Sequence, residues 1–306
     1  MCTYRTWREV SHIGWTKVWC PGSVTGMADR AEFTEASTRA TLESAAATVG
    51  IDANGAELLR LGSHAVYRLR DAIVARVART AADVASYRRE IGVADWLESV
   101  SYPAARAVHV DQPVVVDNRV VVFWQSISDR QDYGTPADVA HLVKQLHALD
   151  APASLDLPQL EPFTRVMPRL DAAIGLDEAD RAYLVERLPE LQKAYAGLDF
   201  VLPAGVIHGD ASVGNVILDQ SRQPILLDLD GFAIGPREWD LVVTAMYYDS
   251  FGWHTKAEYD EFTKIYGFDI MAWPGYETLR SIREYLMVSW LSQKLARARN
   301  SPMRSG

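Results

Sequence analysis

Val206-Ile207-His208-Gly209-Asp210-Ala211-Ser212-Val213-Gly214-Asn215 is followed by an apolar run ending in Pro224-Ile225-Leu226-Leu227-Asp228-Leu229-Asp230-Gly231, and then by Gly235-Pro236-Arg237-Glu238-Trp239-Asp240. Asp210 sits between a glycine and a short loop, where a carboxylate can project into a cleft. Asn215, at the end of that loop, offers a neutral oxygen, and Asp228, after an apolar strand, offers a charged one. Magnesium is bound by a few such oxygens and completes its shell with water and phosphate. Asp230 is a second candidate ligand or a loop former. A lone aspartate in a turn is usually a cap or turn residue, so Asp219 and Asp240 say little by themselves. The joint spacing of Asp210, Asn215 and Asp228 says much more.

Outward from this stretch the chain divides. On its N-terminal side, Glu57–Leu61, Ala65–Leu69 and Ile73–Val77 read as strands, with Gly62-Ser63-His64 and Arg70-Asp71 as turns. A helix is predicted over 81–100 because Val84, Tyr87, Ile91, Ala94 and Leu97 recur every three or four residues. Val114–Val116 and Arg119–Trp124 make two more strands joined by Asp117-Asn118, a hairpin pair. An alanine- and glutamate-rich helix over 31–48 precedes them. Residues 125–134 turn polar and read as a hinge. Beyond it, helices are expected at 136–149, 162–173, 177–196, 236–250, 255–266 and 276–298.

These motifs resemble the aminoglycoside phosphotransferase family, within the kinase-like group that includes choline kinases. H-G-D-x-x-x-x-N, the later D-x-D and the G-P-x-x-W-D carry the resemblance, which extends from about residue 45 to 295. It implies an α+β, two-lobed protein-kinase-like fold with a small antiparallel-sheet lobe (27–124) and a mainly helical lobe (135–306) joined by the hinge. It also implies ATP or GTP with Mg2+ between the lobes and a small-molecule acceptor on the helical lobe.

Phosphoryl transfer needs a carboxylate near the acceptor hydroxyl and oxygen ligands for the metal on the triphosphate. Asp210 takes the first role; Asn215, Asp228 and Asp230 take the second. The resemblance assigns the Gly62, Ser63 and His64 turn to the phosphates. It aligns Arg76 with the lysine that usually grips them, a departure because arginine keeps the charge but forks differently. Glu90 would pair with Arg76, and Gln125, Ser126 and Ile127 would meet the adenine edge through backbone atoms. His208 and Asp240 would support the catalytic loop. Two other readings are a dinuclear metallohydrolase using His208 and Asp210, and a degenerate kinase-like binding protein, prompted by Arg76.

The 306 residues are 48% hydrophobic and 23% charged, with a net charge of -9. That composition is ordinary for a globular enzyme, and the acidic balance argues against nucleic acid as a partner. Residues 240–285 hold eight acidic and four basic residues among many aromatics. Carboxylates bind ammonium groups and rings stack on sugar faces, which favours an aminoglycoside or aminosugar-like acceptor near Asp249, Trp253, Glu258 and Glu284. No apolar run approaches the roughly 18 residues of a membrane span. Cys2 and Cys20 are the two cysteines. They lie in residues 1–26, which read as a disordered extension or a misassigned start before Met27, the rival being a tryptophan-rich docking segment. That leader lacks the apolar core of a secretory signal, which leaves the cytoplasm as the default compartment.

Overall fold

The computed structural model describes residues 33–299 apart from Gln131 and Ile174, without the side chains of 293–299; the expectation for residues 1–26 lies outside the described residues. Helix α1 (Glu35–Val49) is opened by a capping box between Thr34 and Ser37 and closed by Gly50 in the left-handed region. The strands β1 (Glu57–Leu61), β2 (His64–Leu69), β3 (Ile73–Ala78), β4 (Val114–Val116) and β5 (Arg119–Gln125) form one antiparallel sheet in the order β1-β2-β3-β5-β4. The β4–β5 hairpin turns at Asp117 and Asn118, both at positive φ (49° and 58°), as the sequence predicts.

Helix α2 (Val84–Ser99) begins three residues later than its periodicity suggests, because Asp83 caps it by accepting from the Ser86 N–H. Alternation along β5 puts Val121 and Phe123 into a core shared with α1, and Val120, Val122 and Trp124 into a second core shared with α2 and the helical half. The sheet is therefore buried on both faces at β5, which fixes its position against the helices.

The helical half comprises α3 (Pro136–Leu146), α4 (Val166–Asp171), α5 (Glu178–Ala196), α6 (Glu238–Asp249), α7 (Lys256–Tyr266) and α8 (Tyr276–Arg299). Two small antiparallel pairs sit among them: β6 (Gly205–Ile207) with β9 (Ala233–Gly235), and β7 (Val216–Leu218) with β8 (Pro224–Leu226). The 162–173 helix is shorter than expected, and two boundaries move: His64 is the first residue of β2 rather than part of the turn, and Gln125 is the last residue of β5 rather than of the hinge. Among the described residues no helix is long and apolar enough to cross a membrane.

Candidate active site

The loop carrying Asp210 leaves β6, and the turn carrying Asp228 and Asp230 leads into β9, so the pairing of those two strands brings both loops together. Their backbones touch. Gly209 has φ 88°, and a Cβ there would lie 2.4 Å from the Gly231 carbonyl; a Cβ on Gly231 would lie 2.7 Å from the His208 carbonyl. Only glycine fits either position.

His208, fully buried, fastens the same junction. Its Nδ1 accepts from the Asp210 N–H (3.2 Å), which makes Nε2 the protonated nitrogen that donates to the Leu227 carbonyl (2.7 Å). Both ring nitrogens are engaged, so His208 has none left for a metal. That removes the dinuclear-hydrolase reading and leaves His208 in the structural role.

Asp240, in the first turn of α6, is the anchor. Its carboxylate accepts from the N–H groups of His208 (2.7 Å) and Gly209 (2.8 Å) and meets His147 Nε2 at 3.1 Å. Burial alone would raise its pKa, but His147 and the backbone donors around it outweigh burial and hold it below the usual carboxylate range. The Gly209 carbonyl accepts from Trp239 Nε1 and from Arg283.

Asp210 itself stays accessible, its side chain 61% exposed. One carboxylate oxygen pairs with Arg283 Nη2 at 2.7 Å, while Asn215 Nδ2 donates to the Asp210 carbonyl (2.9 Å) and lies 3.4 Å from its other oxygen. Asn215 thus uses its amide nitrogen inward and keeps its oxygen for another ligand. The Leu227 N–H donates to the Asn215 carbonyl (2.8 Å), which sets Asp228 beside it. Asp228 adopts φ 59°, ψ 59°, the left-handed conformation that aspartate tolerates better than most residues. Asp230 is pushed up by burial first and by the Asp228 charge second. Two carboxylates that repel one another beside a carboxamide oxygen are a hard, oxygen-only donor set that fits a divalent cation.

From the sheet, Arg76 on β3 reaches the same place. Its Nη2 pairs with Glu90 of α2 at 2.6 Å, as the family resemblance implies, and its guanidinium lies over Trp124. Burial pushes Glu90 up to about 7 against the pull of Arg76. Asp228 and Asp230 add to the negative charge around Arg76, whose buried Nε has no partner.

Other expected contacts are placed differently. Gly62 and Ser63 form the β1–β2 turn, but the Gly62 N–H donates to the His64 carbonyl and its own carbonyl accepts from Arg79. His64 turns onto α2, with Nε2 2.8 Å from the Tyr87 hydroxyl, and burial with the charge of Arg76 lowers it to about 4. At the hinge, the Gln125 N–H donates to the Arg106 carbonyl and the Ser126 N–H to the Ala72 carbonyl, so those two N–H groups are used within the protein; Ile127 follows them.

The acids expected to meet an ammonium group are engaged within the protein. Asp249, Glu277 and Glu284 surround Arg280, and Asp249 also accepts from Tyr276. Glu258 closes the capping box of α7 with Thr255, and Asp260 pairs with Lys256. Trp253 remains, 41% exposed and packed on Tyr247 and Phe251 with ring centroids 4.8 Å away in both cases. Sequence reasoning missed His147 and Arg283. His147 follows the last residue of α3, which carries a second histidine, His141, and Arg283 is one of four basic residues in an acidic stretch, so neither carried a local signal. A groove of about 680 Å³ between the end of α5 and the start of α8 is lined by residues such as Lys193, Asp199 and Trp273, and by none of the loop residues above.

The profile of the phosphotransferase enzyme family matches residues 56–282. The chain belongs to this family. Similar solved structures include an aminoglycoside phosphotransferase from Streptomyces rimosus (21% identity, 81% of this chain and 97% of that one, TM-score 0.55). An amicoumacin kinase solved with AMP-PNP and calcium is 14% identical over 89% of this chain and 90% of that one, with a TM-score of 0.64. A choline/ethanolamine kinase family protein from Mesorhizobium loti is 19% identical over 83% and 84%, with a TM-score of 0.55. No curated protein sequence matches significantly. The phosphotransferase thus has the two-lobed kinase-like α+β fold, its sheet above and its helices below the loops described here.

Proposed function

We propose that this phosphotransferase moves the γ-phosphoryl group of ATP or GTP to a hydroxyl of a small molecule. The observation that carries this reading is Asp210: an accessible carboxylate on a loop anchored by buried Asp240, next to Asn215 and the Asp228–Asp230 turn. Asp210 accepts the proton of the acceptor hydroxyl as its oxygen forms the new O–P bond. The bond from the γ-phosphorus to the β–γ bridging oxygen breaks, and the nucleoside diphosphate leaves with that electron pair. Asn215, Asp228 and Asp230 would hold Mg2+, which supplies positive charge to the phosphate oxygens. Arg76, oriented by Glu90, directs a guanidinium toward the same phosphates, so replacement of the usual lysine keeps a cation in position and favours the enzyme over the degenerate binding protein. Gly62, Ser63 and the backbone of Gln125, Ser126 and Ile127 are further candidates for the nucleotide.

An aminoglycoside or aminosugar acceptor is supported by the exposed ring of Trp253 but no longer by Asp249, Glu258 and Glu284, which are engaged elsewhere. The test is diphosphate release by purified protein with ATP or GTP and Mg2+ against hydroxylated amines, neutral sugars, hydroxy acids and sugar phosphates. Acceptor-dependent release is expected with at least one class. Tight nucleotide binding without transfer to any class would favour the binding protein instead.

A further inference from the structure

Helix α8 packs against α4, α5 and α6, and two turns along it Arg283 is buried against the loop that carries Asp210. Its guanidinium has three neighbours. Nη2 pairs with Asp210 Oδ1 at 2.7 Å, Nη1 donates to the Gly209 carbonyl at 3.2 Å, and Cζ lies 4.8 Å from the centre of the Trp239 ring. Trp239 Nε1 donates to the same carbonyl at 2.9 Å. One flat cation thus rests on an indole while it spans the backbone of one residue and the carboxylate of the next. Arginine suits this place and lysine does not, because a guanidinium can stack on a ring while its fork reaches two oxygens.

The backbone of the loop does not depend on that cation. Asp240 accepts from the His208 and Gly209 N–H groups, and Trp239 by itself satisfies the Gly209 carbonyl. What Arg283 alone supplies is a hold on the Asp210 side chain. That carboxylate is largely exposed, and Asn215 Nδ2 lies 3.4 Å from its Oδ2, at the outer limit of a hydrogen bond. Without the guanidinium the carboxylate could change rotamer. Stability does not call for the arrangement. Arg283 Nε has no partner, and Asp210 is the one acid within 4.0 Å of Arg283 among the described residues. A buried charge with a single, largely solvated partner adds little or no net stabilisation.

We propose that Arg283 is the positioning residue for Asp210: it engages Oδ1 and leaves Oδ2 to face the acceptor hydroxyl, with Trp239 as the platform under the guanidinium. This rests on the phosphotransferase reading. In the reaction the hydroxyl proton passes to Oδ2 as the acceptor oxygen bonds to the γ-phosphorus and the β–γ bridge breaks. Arg283 stays charged and bonded to Oδ1, and the carboxylic acid afterwards returns its proton to water.

The test compares full-length wild type with Arg283→Met, Arg283→Lys, Asp210→Asn and the double variant Asp210→Asn/Arg283→Met. Initial rates with an acceptor that wild type uses separate kcat from the KM of the acceptor and of Mg2+–ATP, and melting temperatures report folding. Arg283→Met should lower kcat by about tenfold or more while the KM for Mg2+–ATP stays within about twofold, and Arg283→Lys should recover part of the loss. The double variant should be no slower than Asp210→Asn, because Arg283 acts through the carboxylate that Asp210→Asn has already removed. Crystal structures need no turnover: Asp210 should hold one rotamer in wild type and be displaced or split between rotamers in Arg283→Met.

The proposal is overturned if Arg283→Met, or Arg283→Lys should the first not fold, keeps kcat within about twofold of wild type. It is overturned equally if the two substitutions add in the double variant, or if Asp210 keeps its rotamer in the Arg283→Met crystal. A rise confined to the KM of the acceptor would make Arg283 an acceptor ligand instead. A wild type that phosphorylates no acceptor would count against the phosphotransferase reading, while the two crystal structures would still decide whether Arg283 sets the Asp210 rotamer.

Discussion

Replacing Asp240 by asparagine should damage the protein well beyond what one buried carboxylate on a helix suggests. Three donors converge on that carboxylate: two backbone N–H groups at 2.7 and 2.8 Å and His147 Nε2 at 3.1 Å. An asparagine oxygen can replace the oxygen shared by His208 and His147, but its NH2 then faces the Gly209 N–H. Two charge-assisted bonds become neutral, at about 1 kcal/mol each, and one buried backbone donor is orphaned, at about 1–3 kcal/mol. The sum is a loss of roughly 3–5 kcal/mol, in the range seen when one partner of a buried ionic contact is removed. Chemical denaturation followed by circular dichroism measures it. Because the orphaned donor belongs to the residue before Asp210, the loop should shift and kcat should fall by about tenfold or more in the fraction that remains folded. A variant less than about 1 kcal/mol weaker, with kcat unchanged, would refute the idea that Asp240 anchors the catalytic loop.

Three further outcomes follow from single positions. Gly209→Ala places a Cβ 2.4 Å from the Gly231 carbonyl at φ 88°, so the variant should lose at least about 3 kcal/mol or fail to fold, as read from yield and thermal melting. Glu258→Ala should remove part of the α7 cap, costing roughly 0.5–1 kcal/mol by denaturation, and should leave the KM of the acceptor unchanged. His64 is held neutral, its pKa falling from 6.5 to about 4. Its contribution to stability is therefore fully present above pH 6.5 and is lost as pH falls toward 4, by up to about 3 kcal/mol. Comparing His64→Gln with wild type across that window should show the variant's stability depending less steeply on pH.

Much of this was legible before any coordinates, and the division has physical causes. Local patterns were readable: the period-2 strands, the Asp117-Asn118 turn and the Asp210, Asn215 and Asp228 spacing each depend on neighbours in the chain. The Arg76–Glu90 pair was readable only through the family resemblance, which aligns a helix glutamate with the basic residue of the third strand. What escaped depends on distant partners. Arg283 reaches Asp210 from 73 residues away, and His147 reaches Asp240 from 93 residues away, so neither leaves a mark in local sequence. The acid excess over 240–285 says less than it suggests for a related reason: composition counts carboxylates but not the arginine and helix N-terminus that engage Asp249, Glu284 and Glu258. Likewise, sequence does not show that the Arg106 and Ala72 carbonyls take the N–H groups of Gln125 and Ser126 at the hinge.

The most direct measurement is the effect of Asp210→Asn on transfer and on nucleotide binding in the same preparation. Asparagine keeps the size of the side chain and can still bond to Arg283 and Asn215, but it cannot accept the hydroxyl proton. With an acceptor that wild type uses, kcat should fall by about 10²–10⁴-fold, while the affinity for Mg2+–ATP stays within about threefold. Turnover near the wild-type rate would contradict the role assigned to Asp210 and with it the mechanism.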